Sequence, residues 1–261
     1  MGEMKVPETA LYGASTQRAV LNFPISGHTM PDGFIQGIGL LKYACALANQ
    51  SLGRLEDDKA KLIEQAALEV YNNELAEHFP IDVFQTGSCT SSNMNVNEVI
   101  ANRCSQIVGN PIGSKDPIHP NDHVNMGQSS NDTMPTALHI SVAIALKEKL
   151  LPALVLMVES LEKKAAAWGD IVKIGRTHLM DATPLTLGQE FSGYAMQVRK
   201  SIERVEKSID ALCELAIGGT AVGTGINCHP DFSKKVCSVL EKKTGIAFRE
   251  ARNHFEAQAA R

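Results

Sequence analysis

Apolar positions recur along most of the chain at three-, four- and seven-residue spacings, the signature of helices that bury one face. Ile144, Leu151, Leu154, Val158 and Leu161 mark a long helix over 136–166, and Pro152 is expected to bend it. Over 187–217, Val198, Ile202, Val205, Ile209, Leu212 and Ala216 alternate four and three, a seam of the kind that packs helix bundles. Gly218 and Gly219 end it. An aliphatic helix is expected from Pro31, where a first turn tolerates proline, to about Ser51. Asp57 and Asp58 open another, favourably placed against the helix dipole, which is expected to run to about His78 before Pro80 stops it. Leu62, Ala66, Glu69 and Val70 separate its apolar face from its wet one. Further helices are expected over 94–108, after Asp231 and from the stretch NHFEAQAAR, whereas 1–29 reads as irregular. There is no internal repeat. The fold class these patterns predict is mainly α.

Composition narrows the function classes. The 261 residues suffice for one large domain or two modest ones, and a hydrophobic share of 44% with 21% charged is ordinary for a globular protein. Aromatics at 5% leave packing to aliphatic and Ala side chains, which suits helix-on-helix contacts. A net charge of −4 gives no electrostatic footprint for nucleic acid or an acidic membrane surface. No apolar run is long enough to span a bilayer, and the N-terminus lacks a signal-peptide pattern. The six cysteines include no Cys-x-x-Cys pair and read as reduced thiols, so a cytoplasmic location is expected, with no disulfide frame and no metal cluster.

The candidate chemistry sits between the helices. In QTGSCTSSNMNV, Gly87 to Asn93 form a run of small polar groups at a helix start, where backbone N–H groups make a ready anion site. A single Ser or Asn there would be a plain cap; seven together exceed what a cap needs. Ser129, Ser130, Asn131 and Asp132 make a second polar helix start, with Pro135 near its first turn, and GGTAVGTGIN (218–227) is a third Gly/Thr-rich loop. His119, Asp122 and His123 invite a metal reading, but Pro120 prevents the regular helix that would put both imidazoles on one face. The stretch DIVKIGRTHLMDATPLTLGQE, 170–190, reads as an unusually long loop between long helices. It holds Gly175, Arg176, Thr177 and His178 together, and His178 can give or take a proton near neutrality. Thr186 and Gln189 resemble a capping box for the helix that follows.

GSCTSSNMNVNEV, HPNDHVNMGQSSND, GRTHLMDATPLTLGQE and GGTAVGTGIN, in this order, closely resemble the class II, iron-free fumarases of the fumarase/aspartase superfamily. The resemblance covers essentially the whole chain. It implies a fumarase/aspartase-like helical fold: an N-terminal lyase domain over 1–128 followed by part of a central long-helix bundle domain over 129–261. It further implies a homotetramer with active sites shared between subunits, a dicarboxylate substrate, reversible hydration of fumarate to malate, and no cofactor. On that resemblance Ser88, Cys89, Thr90, Ser129, Ser130, Asn131 and Thr177 line the substrate carboxylates, and His178 is the catalytic residue on the hydroxyl side, acting through a water. The related aspartate ammonia-lyases typically carry Gln at the position of His178 and Ala-Gly-Thr where this chain has Ser88-Cys89-Thr90, so both places favour a fumarase.

Three departures from the family pattern stand out. Cys89 replaces the usual Gly between Ser88 and Thr90. A second, peripheral carboxylate site would map to His119, Asn121 and Asp122, but the basic residue usual three positions before His119 is here Asp116. The family's C-terminal half, with its Gly-Ser-Ser loop bearing the serine base and a substrate-binding Lys and Asn, lies outside these residues, so the chain is expected to be incomplete and inactive alone. Two other readings remain open: an ammonia-lyase relative, and a non-catalytic helical assembly module.

Overall fold

The computed structural model describes residues 3–259, and its described residues are mainly helical. Two compact units emerge from the packing. One runs to Val142 and resumes at Leu212; the other is Ala143–Ala211. This division follows contacts and not chain order: the segment after Leu212 returns to the first unit.

In the first unit, α2 (Asp32–Ser51) packs on α3 (Asp57–Tyr71) and on α8 (Phe232–Thr244), and α4 (Thr90–Ile107) packs on α3. Ile38, Leu40, Leu41 and Ala44 of α2 are fully buried, which makes this helix the centre of the core. The acidic-start helix ends at Tyr71, short of the expected His78, because Asn73 takes a left-handed φ of 64° and only a 3₁₀ turn, Ala76–His78, follows. The N-terminal stretch read as irregular contains α1 (Ala14–Asn22). No side chain of its own caps it. Glu98, from the middle of α4, supplies the cap instead, accepting from the N–H groups of Gly13, Ser15 and Thr16 at 2.9, 3.0 and 3.1 Å and from the Thr16 hydroxyl at 2.7 Å. A cap that arrives from more than eighty residues away leaves no local signal.

The helix expected from Thr136 begins six residues earlier, as α5 (Ser130–Ala145), with Pro135 inside it. It continues through a π-helical stretch, Leu146–Leu150, into α6 (Leu151–Ala167). Pro152 lies in the first turn of α6. A proline removes the N–H that would bond four residues back, and a π turn just before it accommodates the loss.

The 170–190 stretch is not an open loop. It is an antiparallel hairpin of β1 (Val172–Thr177) and β2 (Met180–Thr186), whose register shifts between Ile174 and Arg176. Thr186 and Gln189 then close a capping box on α7 (Leu187–Leu212): the Gln189 side chain accepts from the Thr186 N–H at 2.9 Å, and the Thr186 hydroxyl accepts from the Gln189 N–H at 3.1 Å. Trp168 and Phe191 meet edge-to-face at 4.7 Å, closing the base of the hairpin. The seam helix stops at Leu212, not at 217. Glu214–Leu215 form β3, which pairs in parallel with β4 (Arg249–Glu250), and Leu215, Ala216 and Ile217 are buried in the first unit. α9 (His254–Ala259) closes the described chain.

Gly188 opens α7 with its Cα against α6: a Cβ there would lie 2.5 Å from the Ala165 carbonyl and 2.8 Å from Gly169 Cα. Gly193, one and a half turns on, faces open space. Gly188→Ala should therefore cost about 1–3 kcal/mol of stability by forcing the backbones apart. Gly193→Ala should gain about 0.5–1 kcal/mol from reduced unfolded-state freedom. Thermal melts of the two variants check this; equal shifts would place the close approach elsewhere.

Candidate active site

Two polar segments from distant parts of the first unit meet at Thr90, and a third joins them through Asn131. The Thr90 hydroxyl lies 2.9 Å from the Ser88 hydroxyl and 2.9 Å from that of Ser130. Three hydroxyls carry three protons, and the two bonds among them use two, which leaves one proton to donate outward. Asn131 adjoins them and binds the third segment, its amide donating to the Ala221 carbonyl at 2.7 Å. Ser129 lies just before, its hydroxyl accepting from the Asn131 N–H at 3.3 Å.

The helix-start N–H groups are largely spent. At α4 the Gln85 side chain accepts from the Ser92 N–H at 3.0 Å and donates back to the Ser92 hydroxyl at 2.9 Å. At α5 the Asp132 carboxylate takes the Ser129 N–H at 2.8 Å. The Ser88, Thr90 and Ser130 hydroxyls are the side-chain donors at these helix starts, while the Asn131 amide donates to the Ala221 carbonyl. Cys89, the residue before α4, sits at φ 52°, ψ 32° in the left-handed region. Glycine adopts that conformation without penalty and a residue with a Cβ does not. The family's usual glycine thus has a conformational reason, and this chain carries the strain.

Asp132 organises the cluster from below. It is fully buried, and besides Ser129 it accepts from the N–H groups of Gly218 at 3.0 Å and Thr220 at 2.8 Å. Gly218 has φ 95° and faces Ser233 so closely that a Cβ would overlap the Ser233 oxygen, so only glycine fits there. Burial pushes the Asp132 carboxyl up to about 6, against the opposing pull of these three N–H bonds and of Lys42. Lys42 is itself buried, and its ammonium donates to Asn125 Oδ1 and Gln128 Oε1, both at 2.9 Å. Desolvation lowers it to about 8.

His119, Asn121 and Asp122 lie in the loop ahead of this cluster, at a π turn, Pro120–Val124. His119 Nδ1 accepts from the N–H groups of Asn121 and Asp122 at 3.3 and 3.2 Å, so the ring acts as a local cap. An Asp122 carboxylate oxygen lies 3.1 Å from the same nitrogen. Asp116 turns its carboxylate to the Asn110 amide, 2.8 Å away. Among the described residues no group of three or more His, Cys, Asp or Glu side chains is arranged to hold a metal ion.

Thr177 and His178 belong to the second unit, at the tip of its hairpin. The two linking residues, His178 and Leu179, have φ 50° and 63°, the signature of a type I′ turn built without the usual Asn-Gly. Thr177 and His178 are exposed, and Leu179 is 91% exposed.

A family model described as "Lyase" matches residues 2–261. The chain belongs to this lyase family. Among lyase relatives, the class II fumarate hydratase of Halobacterium salinarum is 54% identical over 260 residues, 100% of this chain and 55% of that protein. That of Nitrosomonas europaea is 52% identical over 260 residues, 100% of this chain and 56% of that protein. The crystal structure of class II fumarase from Schistosoma mansoni superposes with a TM-score of 0.95 at 38% identity, covering 98% of this chain and 57% of that one. That of a fumarate lyase:delta crystallin from Brucella melitensis, bound to cobalt, gives 0.92 at 38%, covering 98% and 56%. The fold of this lyase chain is thus the mainly α, fumarase-like one. The chain spans about half the length of the curated relatives it matches.

Sequence reasoning passed over Lys42, Asn125, Gln128 and the anchoring role of Asp132. One signal was present: Lys42 interrupts the apolar stripe of Ile38, Leu41 and Cys45, a place where a lone charge must find buried partners.

Two predictions test the site's scaffold. Cys89→Gly should stabilise the chain by about 1 kcal/mol by relieving the left-handed backbone, and Cys89→Ala should not; equal melting shifts would remove strain as the cause. The folded pKa of Asp132 lies above its unfolded value of 3.8, so between about pH 4 and 6 the native state holds the extra proton. Stability from this group is present at acid pH and is lost as pH rises through 6, by about 3 kcal/mol. The stability difference between wild type and Asp132→Asn, measured by urea unfolding from pH 4 to 7, should fall by that amount. A flat difference would show that Asp132 ionises as freely as in the unfolded chain.

Proposed function

We propose that this lyase chain is the dicarboxylate-binding part of a fumarate hydratase, which adds water reversibly across the double bond of fumarate to give malate. The observation that carries the reading is the position of Thr90, with its hydroxyl within hydrogen-bond distance of both Ser88 and Ser130. Hydroxyls and an amide suit a carboxylate, which accepts several hydrogen bonds in defined directions. In the hydration, the water oxygen bonds one carbon of the double bond and a proton goes to the other; negative charge gathers on the adjacent carboxylate on the way. Donors fixed beforehand stabilise that charge without reorganising. Ser88, Thr90, Ser129, Ser130, Asn131 and Thr177 hold the carboxylates, with Cys89 between the first two. His178 exchanges the proton of the attacking water. The base for the neighbouring carbon is assigned to the relatives' remaining length, beyond residues 1–261.

A further part of the proposal is a cytoplasmic homotetramer with shared sites, in which one subunit's hairpin tip serves another's hydroxyl cluster. The exposed apolar side chains of Leu156, Met157, Leu179, Met180 and Met196 in the second unit support it. So does the exposure of His178, since closing a site against bulk water strengthens its electrostatics and a partner surface can provide that closure. Light scattering at micromolar concentration is expected to give an assembly, and a clean monomer would count against it.

Residues 1–261 alone should show negligible turnover of fumarate. Supplied with a separately expressed polypeptide for the remaining length of the relatives, they should hydrate fumarate and leave aspartate untouched. Deamination of aspartate, or robust hydration by 1–261 alone, would overturn the assignment. In the assembled protein, His178→Asn should lower kcat by on the order of 10²–10⁴-fold with KM moving less. A near-normal kcat with a lowered melting midpoint would remove His178 from the chemistry.

A further inference from the structure

α2 presents two polar side chains to the loop that precedes the second polar segment. Lys42 donates to Asn125 Oδ1 and Gln128 Oε1, and seven residues on, Asn49 donates to the Met126 carbonyl at 3.1 Å. The amides cannot be turned round. Gln128 spends its own N–H groups on the Val124 and Met126 carbonyls, at 3.0 and 3.2 Å, so its oxygen faces the ammonium. Asn125 donates to the Gln128 carbonyl at 3.2 Å, so its oxygen accepts both from Lys42 and, at 3.2 Å, from Asn93 in the first turn of α4. Both orientations follow from the network of partners. The chain thereby accepts the cost of a fully buried ammonium where an aliphatic residue would extend the stripe of Ile38, Leu41 and Cys45.

We infer that Lys42 is a positioning residue for the hydroxyl cluster: its ammonium fixes, through Gln128 and Asn125, the loop that delivers Ser129, Ser130 and Asn131, and through Asn125 and Asn93 the helix turn that carries Thr90. The inference deepens the carboxylate-cradle reading and rests on it for the ligand alone. Asp132 holds the same cluster from the side of Gly218 and Thr220 and shares its Ser129 end with Lys42, whose other partners lie in the 125–128 loop. Lys42 stays charged at neutral pH despite desolvation, which keeps its hydrogen bonds charge-assisted.

The test compares wild type, Lys42→Met, Gln128→Ala and the double variant Lys42→Met/Asp132→Asn by amide hydrogen exchange at equal fraction folded. Affinity is measured by calorimetry with succinate, a dicarboxylate that cannot be hydrated. Lys42→Met should speed exchange at least tenfold in 86–94 and 124–131, leave the hairpin 172–186 unchanged, and weaken succinate at least tenfold. Gln128→Ala, which leaves the core intact, should reproduce the localised change, and this arm decides the matter if Lys42→Met does not fold. The double variant should exchange at least as fast as Lys42→Met in both segments, since Asp132 also takes the Ser129 N–H. Uniform acceleration, unchanged local exchange, or recovery in the double variant overturns the inference, the last because it would mean that only an uncompensated Asp132 charge was felt. Absence of succinate binding in wild type, with the local exchange effect intact, sinks the carboxylate reading and leaves the positioning role standing.

Discussion

A carboxylate without solvent must be met by donors, and Asp132 is met by three backbone N–H groups from two segments nearly ninety residues apart. Water would solvate this group far better than hydrocarbon, so each N–H that reaches it is held there by the cost of letting go. The consequences spread outward. Ser129 is fixed at the start of α5, the 218–220 turn is drawn to it, and Asn131 meets Ala221 across the gap. The hydroxyl cluster is a surface feature, but its coordinates are set by a charge beneath it. Burial raises the Asp132 pKa because desolvation outweighs the donors that offset it.

The second unit shows the opposite economy. His178 and Leu179 hold left-handed backbone angles that neither side chain favours, at a turn where Asn-Gly would sit without strain. Nothing around Leu179, almost fully exposed, repays this. The surrounding hairpin over-determines the turn: β1 pairs with β2 up to Thr177↔Met180, and the capping box and the Trp168–Phe191 contact anchor its base. Strain of this kind persists where a side chain must be aimed and not where it must be stable.

What could be read in the sequence follows from the range of the forces involved. The helices over 32–51, 94–107 and 187–212 were legible because their apolar period is local. α1 was not, since Glu98 caps it from another helix. The early start of α5 at Ser130 was hidden because its stabilising contacts run to Gly218 and Thr220, and Ala216 looked like the end of a seam when its burial belongs to a different unit. The 170–190 stretch alternates too weakly to announce strands, with Gly175 and Pro184 in the run, so it read as a loop. Ser88, Thr90, Ser129, Ser130 and Asn131 were found as residue types in three polar runs. That Ser88, Thr90 and Ser130 share one chain of hydroxyls was not, because a hydrogen bond across forty residues has no period.

For the proposed carboxylate cradle, the same contrast pairs neutral donors at the surface with charges kept below. An exposed lysine beside the hydroxyls would attract any anion and hold it in no particular direction, because an ammonium is a compact point charge. Ser88, Thr90 and Ser130 instead present directed donors, and the direction is only as good as the backbone beneath them. Placing Lys42 and Asp132 in the core turns the large free-energy cost of an unsatisfied buried charge into rigidity of the segments that satisfy it. A neutral core could pack as well, yet it would not penalise a shift of Asn125 or Ser129 by a few tenths of an ångström. Directed donors at the surface and buried charge underneath are therefore two parts of one arrangement.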